Sequence, residues 1–278
     1  MESIGQESRP ECTVDSLSDL GLANWRFLLD EALPGPTNMA RDHALLTSLG
    51  TDEGSLRIYK WKNPTISFGR HEKARDLYDR RLASERGIEF VRRPTGGKAV
   101  YHHRELTYSV AVPLARRWGI RHIYREINRA FLEALCSMGV SAKVAQLAQE
   151  SSPSMSPGFC FQDYMEGEVV VRERKLVGSA QVRERGSILQ HGSLLIGKGQ
   201  GHLESLYAGG EIMGSSSTCL VEIMEKEPSW EDLVFAVIGG FRSVFGGAWY
   251  EEGLRENEKE VEADFLKRYA SEEWTWRK

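Results

Sequence analysis

The chain has 278 residues, of which 41% are hydrophobic and 27% charged, the balance of a soluble globular protein with one large or two modest domains. Its formal net charge of −4 gives no general reason to expect nucleic acid or an anionic membrane as a partner. No apolar run approaches the roughly 20 residues of a membrane span, and the first residues lack the features of a signal peptide, so we expect a cytoplasmic protein.

The four cysteines, Cys12, Cys136, Cys160 and Cys219, are scattered along the chain without a close pair. This spacing argues against a zinc knuckle and against a disulfide framework. We therefore expect free thiols and no metal.

Residues 1–22 are polar and aperiodic, which predicts a disordered or loosely attached tail. A strand is expected from Trp25 to Leu29, followed by a helix that Asn38 caps and Gly50 ends. Residues 56–61 and 65–68 look like two strands of a hairpin, and residues 74–86 like a charged helix closed by Gly87.

The segment from Ile88 to Leu114 predicts strand, glycine turn, strand, turn and strand. The backbone N–H groups around Gly96 and Gly97 suit an anion or a substrate tail, although a plain hairpin turn would use the same residues. The positive side chains around this turn suit attraction of an acidic partner: Arg92, Arg93, Lys98, His102 and His103.

The second half of the chain supplies further scaffold. A helix over 122–138 carries Cys136 on its apolar stripe, strands are expected at 168–171 and 176–196, and a short helix begins at Leu203. A helix over 230–245 is interrupted by Gly239 and Gly240, and a charged helix follows from Glu251. Strands and helices are interspersed along the chain but do not follow a regular βαβ alternation. The predicted fold class is therefore α+β, with a mixed β-sheet and flanking helices.

Cys160 lies in a loop rich in serine, proline and glycine, fifteen residues before Lys175. Such a loop can present a nucleophile to substrate, and an ammonium near a thiol favours the reactive thiolate. Cys160 could equally be a small buried hydrophobe between Phe159 and Phe161, and Lys175 could be an exposed lysine at a hairpin tip.

Three motifs together resemble the biotin/lipoate attachment family, which includes biotin protein ligases, lipoate-protein ligases and octanoyltransferases. They are RRPTGGKAVYH, KLVGSAQ and LQHGSLL, in the family's order and spacing. The resemblance runs from about Trp25 to Phe245 and implies the fold shared with class II aminoacyl-tRNA synthetase cores. It divides the chain into a tail (1–22), a catalytic domain (23–250) and a helical extension packed on it (251–278).

The resemblance also implies site residues. Cys160 would be the acyl-thioester nucleophile, and Lys175 would favour its thiolate and polarise the substrate carbonyl. Candidate substrate-binding residues follow from the motifs: Arg92, Gly96, Gly97, Lys98, His102, Gly178, Ser179, Ala180, His191 and Gly192. His191 is either a proton carrier or a hydrogen-bonded core residue. His103 stands where the family commonly has Asp, and it receives no role.

Lipoate ligases typically have a third glycine where this chain has Lys98, and an Asn-Asp pair where it has Cys160 and its neighbours. The chain therefore resembles the octanoyltransferases more closely, which implies transfer of octanoyl from acyl carrier protein through a Cys thioester to the lysine of a lipoyl domain. That acceptor would be the glycine cleavage H protein or a 2-oxoacid dehydrogenase E2, with no cofactor. The alternatives are an ATP-dependent lipoate ligase, an amidotransferase between lipoyl domains, and a binding protein for acylated carriers without catalysis.

Overall fold

The main feature of the fold is a mixed sheet of eight strands. The computed structural model describes residues 21–114, 119–146, 160–161, 166–208 and 216–278. Within these residues the strand order is β11-β1-β2-β6-β10-β9-β8-β7. The strands are β1 (Asn24–Leu33), β2 (Glu53–Trp61), β6 (Glu105–Pro113), β7 (Lys143–Val144), β8 (Val169–Val171), β9 (Arg174–Glu184), β10 (Ser187–Leu195) and β11 (Ala248–Glu251). β1 pairs in parallel with β2 and β11, and the remaining pairs of this sheet are antiparallel.

A second, smaller sheet carries the glycine turn. It consists of β3 (Thr65–Phe68), β4 (Glu89–Arg92) and β5 (Val100–His102), in the order β4-β3-β5. The predicted sequence of strand, glycine turn, strand, turn and strand over 88–114 is therefore confirmed. The predicted hairpin of residues 56–61 and 65–68 is wrong, because the two strands belong to different sheets. Asn63 and Pro64 turn the chain from one sheet into the other.

Helices lie on both faces of the large sheet and also against the small sheet. They are α1 (Gly35–Ser48), α2 (Arg80–Glu85), α3 (Ile120–Ser137), α4 (Leu220–Met224), α5 (Trp230–Phe245), α6 (Glu256–Tyr269) and α7 (Glu272–Thr275). Short 3₁₀ turns lie at Gln200–His202 and Glu204–Leu206. Strand side chains alternate between faces, so on β6 Val110 belongs to the core under α3 and α5, whereas Ala111 packs with Leu46 of α1. This arrangement confirms the predicted α+β class.

Two helix predictions need correction. α1 begins at Gly35, and Asn38 lies inside it, where its buried amide donates to the carbonyls of Leu33 and Lys60. The expected helix over 74–86 is reduced to α2, which Asp79 caps through a hydrogen bond from the backbone N–H of Leu82. Gly87 has the positive φ of 65° that suits a residue just after a helix.

The C-terminal segment is tied to the rest of the chain by buried polar contacts. Arg26 of β1 forms a buried ion pair with Glu258 of α6. Trp274 donates from Nε1 to the carbonyl of Arg92, and Arg92 donates to the carbonyl of Thr275. The proposed boundary at residue 251 therefore separates segments that share polar contacts. The division into domains stays a prediction.

The cysteines are not all free thiols. Cys136 is disulfide-bonded and only half-buried, so both the free thiol and the buried position expected for it are wrong. Cys160 and Cys219 are free. The predicted tail up to residue 20, Cys12 and the loop preceding Cys160 lie outside the described residues.

The two glycines of α5 do not interrupt it, and they occupy different environments. A Cβ on Gly240 would lie 2.3 Å from the carbonyl oxygen of Ala130 on α3, whereas a Cβ on Gly239 would meet nothing within 4 Å. Gly240 therefore permits the close packing of α3 on α5.

These environments predict opposite effects of the same substitution. Gly239→Ala should raise the free energy of unfolding by about 0.5–1 kcal/mol, because alanine is the better helix former. Gly240→Ala should lower it by about 1–3 kcal/mol through overpacking. Urea unfolding of the two variants beside the parent protein checks this, and equal effects of the two substitutions would contradict the packing described.

Candidate active site

One pocket collects most of the predicted site residues. Its volume is about 380 Å³ including the open mouth, and its walls come from both sheets, α1 and the segment at Cys160. The lining residues are Met39, Tyr59, Trp61, Ser67, Arg93, Val100, His102, Thr107, Cys160, Phe161, Gly178, Ser179, Ala180, His191, Gly192 and Ser193. The walls are largely apolar, with a few polar groups among them, as is usual for a small-molecule site.

Cys160 and Lys175 meet beside this pocket. Cys160 is partly exposed, and its backbone N–H donates to the carbonyl of Ala99 at 3.0 Å, which fixes it next to β5. Lys175 Nζ lies 3.7 Å from Cys160 Sγ and donates to the carbonyl oxygen of Cys160 at 2.8 Å. The two residues that the sequence marked as nucleophile and ammonium are thus in contact.

Lys175 is buried although it follows the tight turn at Arg172 and Glu173. Only 2% of its side chain is exposed, so it is not an exposed lysine at a hairpin tip. Burial alone would lower the pKa of Lys175, but the charges of Cys160 and Glu168, with their hydrogen bonds, raise it above its usual value. Lys175 is therefore an ammonium that can stabilise an anion at the pocket.

Glu168 is the residue of this cluster that the sequence did not reveal. Its Oε1 accepts a hydrogen bond of 2.7 Å from Lys175 Nζ, and its side chain is 5% exposed. Glu168 directly precedes β8, which pairs with β9, and this neighbouring strand places the carboxylate beside the lysine. A charged residue at the start of an otherwise apolar VVV strand was the available signal.

Hydrogen bonds from Arg93 fix the conformation of the glycine turn. The Arg93 guanidinium is buried and donates to the carbonyls of Gly96 and Lys98, both at 2.8 Å, and to the carbonyl of Ser67. Gly97 has φ of 94°, and a Cβ there would lie 2.8 Å from Arg93 Nη2. Glycine is required at this point both by the backbone conformation and by the space available.

Arg92 is not placed at the pocket. It is fully buried on the other side of β4, where it donates to the carbonyls of Gly69, Glu72 and Thr275. Its position is that of a structural link between the second sheet and α7, and its predicted contact with substrate has no support in this geometry. Arg93 is the arginine of the motif that lines the pocket.

Gly96, Gly97 and Lys98 lie at the turn itself and do not line the pocket wall. Among the described residues, none of their backbone N–H groups has a hydrogen-bond partner in the protein. Unpaired N–H groups on a turn can hold an anionic oxygen. The predicted anion-holding function of this turn therefore remains a proposal that the geometry permits.

His102 lines the pocket within a polar cluster. Its Nε2 is 2.7 Å from Ser67 Oγ and its Nδ1 is 2.7 Å from Glu105 Oε1, and the ring stacks on Trp61 with centroids 4.0 Å apart. These contacts fix the ring plane against the pocket. His103 points elsewhere: it is exposed, and its ring packs near Tyr101.

His191 lines the pocket but is hydrogen-bonded on both nitrogens. Nδ1 is 2.9 Å from Asp42 Oδ2, and Nε2 is 2.7 Å from Thr95 Oγ1. Burial lowers the pKa of His191 below its usual value, although Asp42 opposes this. These two hydrogen bonds favour a structural role for His191 over that of a proton carrier. They connect Asp42 of α1 to Thr95 of the glycine turn.

The remaining predicted residues form the wall on β9 and β10. Gly178, Ser179, Ala180 and Gly192 all line the pocket. A Cβ on Gly178 would lie 2.7 Å from the ring of Phe161, and a Cβ on Gly192 would lie 2.2 Å from the carbonyl oxygen of Gly178. Ser179 Oγ is 2.7 Å from the hydroxyl of Tyr108, which orients this serine.

Cys160 and six of the ten predicted binding residues therefore line the pocket. Lys175 does not line it but contacts Cys160. Sequence reasoning did not identify most of the apolar wall, which includes Met39, Tyr59, Trp61 and Phe161. Within the described residues, no group of three His, Cys, Asp or Glu could hold a metal, and no helix is long and apolar enough to cross a membrane.

The chain is similar to known proteins over most of its length. Residues 34–242 match the lipoyl protein ligase A/B catalytic domain. Octanoyltransferase LipM of Symbiobacterium thermophilum is 34% identical over 271 residues, which cover 92% of this chain and 99% of that protein. Octanoyltransferase LipM of Kyrpidia tusciae is 33% identical over 277 residues, covering 92% and 100%.

A solved structure of lipoate-protein ligase A bound with ATP is 25% identical and superposes with a TM-score of 0.76, over 91% of this chain and 98% of that one. The fold and the matches together define the α+β catalytic domain of an acyltransferase. The chain belongs to the lipoyl protein ligase A/B catalytic domain family. The family resemblance predicted from the three motifs is confirmed.

The contact between Lys175 and Cys160 predicts how the thiol responds to pH. In Lys175→Ala, alkylation of Cys160 by iodoacetamide should slow at neutral pH, and its pH dependence should move to higher pH, because the ammonium that favours the thiolate is gone. Peptide mass spectrometry resolves Cys160 from the other thiols. Arg174→Ala removes a neighbouring surface cation that pairs with Glu222 and serves as the matched control. Identical pH profiles for Lys175→Ala and the parent protein would exclude this effect.

Proposed function

We propose that this protein is an octanoyl-[acyl-carrier-protein]:protein N-octanoyltransferase. It takes an octanoyl group from acyl carrier protein as a thioester on Cys160 and passes it to the lysine of a lipoyl domain. The observation that carries this proposal is the 3.7 Å contact between Lys175 Nζ and Cys160 Sγ at the pocket. The names of the LipM relatives support an acyltransferase of this kind.

The first half-reaction is a thioester exchange. The Cys160 thiolate attacks the carbonyl carbon of the donor thioester, the new C–S bond forms, and the carrier leaves as its thiolate. Lys175 stabilises the attacking thiolate. The unpaired N–H groups of the glycine turn are the candidates for holding the carbonyl oxygen as it becomes anionic. Since one thioester replaces another, the exchange needs no nucleotide.

The second half-reaction forms the product amide. The amine of the acceptor lysine attacks the Cys160 thioester, an N–C bond forms, the C–S bond breaks, the Cys160 thiolate is restored, and the proton lost from the amine is released to solvent. Replacing a thioester by an amide is downhill, so this step also requires no ATP. The acceptor we propose is the glycine cleavage H protein or a 2-oxoacid dehydrogenase E2 lipoyl domain.

The apolar wall gives the octanoyl chain a place to bind. Met39, Trp61, Val100 and Phe161 line the pocket with apolar surface that an alkyl chain would contact. Burial of such a chain is worth about 0.8 kcal/mol per methylene. This term favours an eight-carbon acyl group over much shorter ones.

The proposal predicts a covalent intermediate that forms without nucleotide. Incubated with octanoyl carrier protein alone, the protein should gain about 126 Da on the peptide that contains Cys160, the mass of octanoyl in place of one hydrogen. Neutral hydroxylamine should release it, because it cleaves thioesters and leaves amides intact. An adduct that requires ATP and free fatty acid would support a lipoate ligase, and one loaded only from an octanoylated lipoyl domain would support an amidotransferase.

Cys160→Ala should abolish both the adduct and transfer to a lipoyl domain, because the nucleophile is lost. Cys219→Ala is the matched control: it removes the other thiol that the structure shows to be free, and should load normally. Transfer by Cys160→Ala at near the parent rate would rule out the thioenzyme mechanism. A protein that binds the carriers but neither loads nor transfers would be a binding protein without catalysis.

The pocket also predicts chain-length selectivity. Shortening the acyl group from eight carbons to six removes two methylenes, or about 1.6 kcal/mol of burial. This should lower kcat/KM for loading roughly tenfold. Stopped-flow loading with hexanoyl and octanoyl carrier proteins measures the ratio, and equal values would show that the chain lies outside the apolar wall.

A further inference from the structure

Lys175 is a possible acceptor for the enzyme's own acyl group. Its Nζ lies 3.7 Å from the sulfur that carries the octanoyl group in the proposed intermediate. If Nζ attacked the thioester carbonyl carbon, an N–C bond would form and the C–S bond would break. The proton lost from nitrogen would pass to the departing Cys160 sulfur. The product would be a stable amide on Lys175, and the enzyme would lose its active-site cation.

Only a neutral amine has the lone pair needed for that attack, so the protonation state of Lys175 decides whether it occurs. Among the described residues, Nζ contacts the sulfur of Cys160, which the proposed mechanism uses as a thiolate, and the carboxylate of Glu168. Acylation converts the thiolate into a neutral thioester. Burial favours the uncharged form of a lysine, whereas nearby anions favour the ammonium. After acylation, one anion fewer would oppose the effect of burial on Lys175.

Glu168 is the anion that remains after acylation. Its carboxylate is 2.7 Å from Nζ, and the two side chains are only 5% and 2% exposed, so water screens the pair weakly. We propose that Glu168 keeps Lys175 protonated in the acyl-enzyme and thereby prevents the acyl group from moving from Cys160 onto the enzyme's own lysine. The inference rests on the proposed function, because it requires an acyl group on Cys160.

Within the part of the chain that the structure describes, the other titratable groups that interact with this cluster are Arg93, Tyr108 and Tyr124. Burial raises the pKa of Tyr108 to about 12 and also raises that of Tyr124, so both phenols are neutral at pH 7–9. Neither can take the place of Glu168 as an anion. Arg93 is a cation beside Cys160 and adds to the need for a nearby carboxylate.

The test compares the full-length protein with Glu168→Gln, which keeps the shape of the side chain and removes its charge. Each protein is incubated with octanoyl carrier protein without an acceptor, and its peptides are mapped over time before and after neutral hydroxylamine. We score the hydroxylamine-resistant fraction among molecules that have gained an acyl group, so that an unfolded fraction does not count.

The parent protein should carry only a labile adduct on Cys160. Glu168→Gln should load Cys160 and then accumulate a resistant adduct on Lys175, at least tenfold above the parent level and faster at higher pH, where more amine is neutral. Glu168→Asp restores the charge and should return the adduct to the labile form. Glu222→Gln neutralises a surface carboxylate that pairs with the adjacent Arg174, and should match the parent.

A Glu168→Gln protein whose adduct stays labile at the parent level would overturn the inference and leave the proposed function intact. A Glu168→Gln protein that never loads Cys160 would also overturn it, because the carboxylate would then act before acylation. Failure of the parent protein itself to load would instead refute the proposed function.

Discussion

One buried carboxylate, Asp42 of α1, holds together the elements that form the pocket. It accepts hydrogen bonds from four side chains on three strands: Arg57, Tyr59, Ser109 and His191. Burial alone would raise the pKa of Asp42, but the charge of Arg57 and the hydrogen bonds from His191 and Ser109 hold it below its usual value. The stability that Asp42 contributes is therefore present above its unfolded pKa and lost as pH falls through the folded one. Through His191 the network continues to Thr95, so the glycine turn is connected to α1 by a single buried histidine of the large sheet.

The fold supports more than one way of attaching an acyl group to a lipoyl domain, and the choice is made locally. The lipoate-protein ligase A structure that superposes on this chain was solved with ATP, whereas the LipM relatives are named octanoyltransferases. Fold similarity alone cannot separate these chemistries. We attribute the separation to the differences that the sequence shows, chiefly Cys160 in place of an Asn-Asp pair and Lys98 in place of a third glycine.

The sequence predicted what depends on local patterns and known motifs, namely the family, the strands around the glycine turn and the closeness of Lys175 to Cys160. Prediction from sequence failed where contacts between residues far apart in the chain determine strand pairing or side-chain position. Residues 56–61 and 65–68 look like a hairpin because turn chemistry does not show which strands pair, and Arg92 resembles a ligand residue although its neighbour Arg93 lines the pocket. Glu168 was missed because its only signal was a charge at the start of an apolar strand, and the pairing of β8 with β9 is what brings it to Lys175. The disulfide at Cys136 was missed because distance along the chain does not report distance in space.

The glycines of the pocket wall limit how the enzyme's choice of acyl group can evolve or be engineered. Gly178 and Gly192 already lack side chains, and their would-be Cβ atoms meet Phe161 and a backbone carbonyl. Mutation at either position can only reduce the space for the alkyl chain. Room for longer acyl groups must come from the opposite wall, where Met39 and Trp61 have volume to lose. A side chain at either glycine would displace Phe161 or the backbone of the neighbouring strand, whereas a longer acyl group would require trimming residues that also support α1 and the stacked His102.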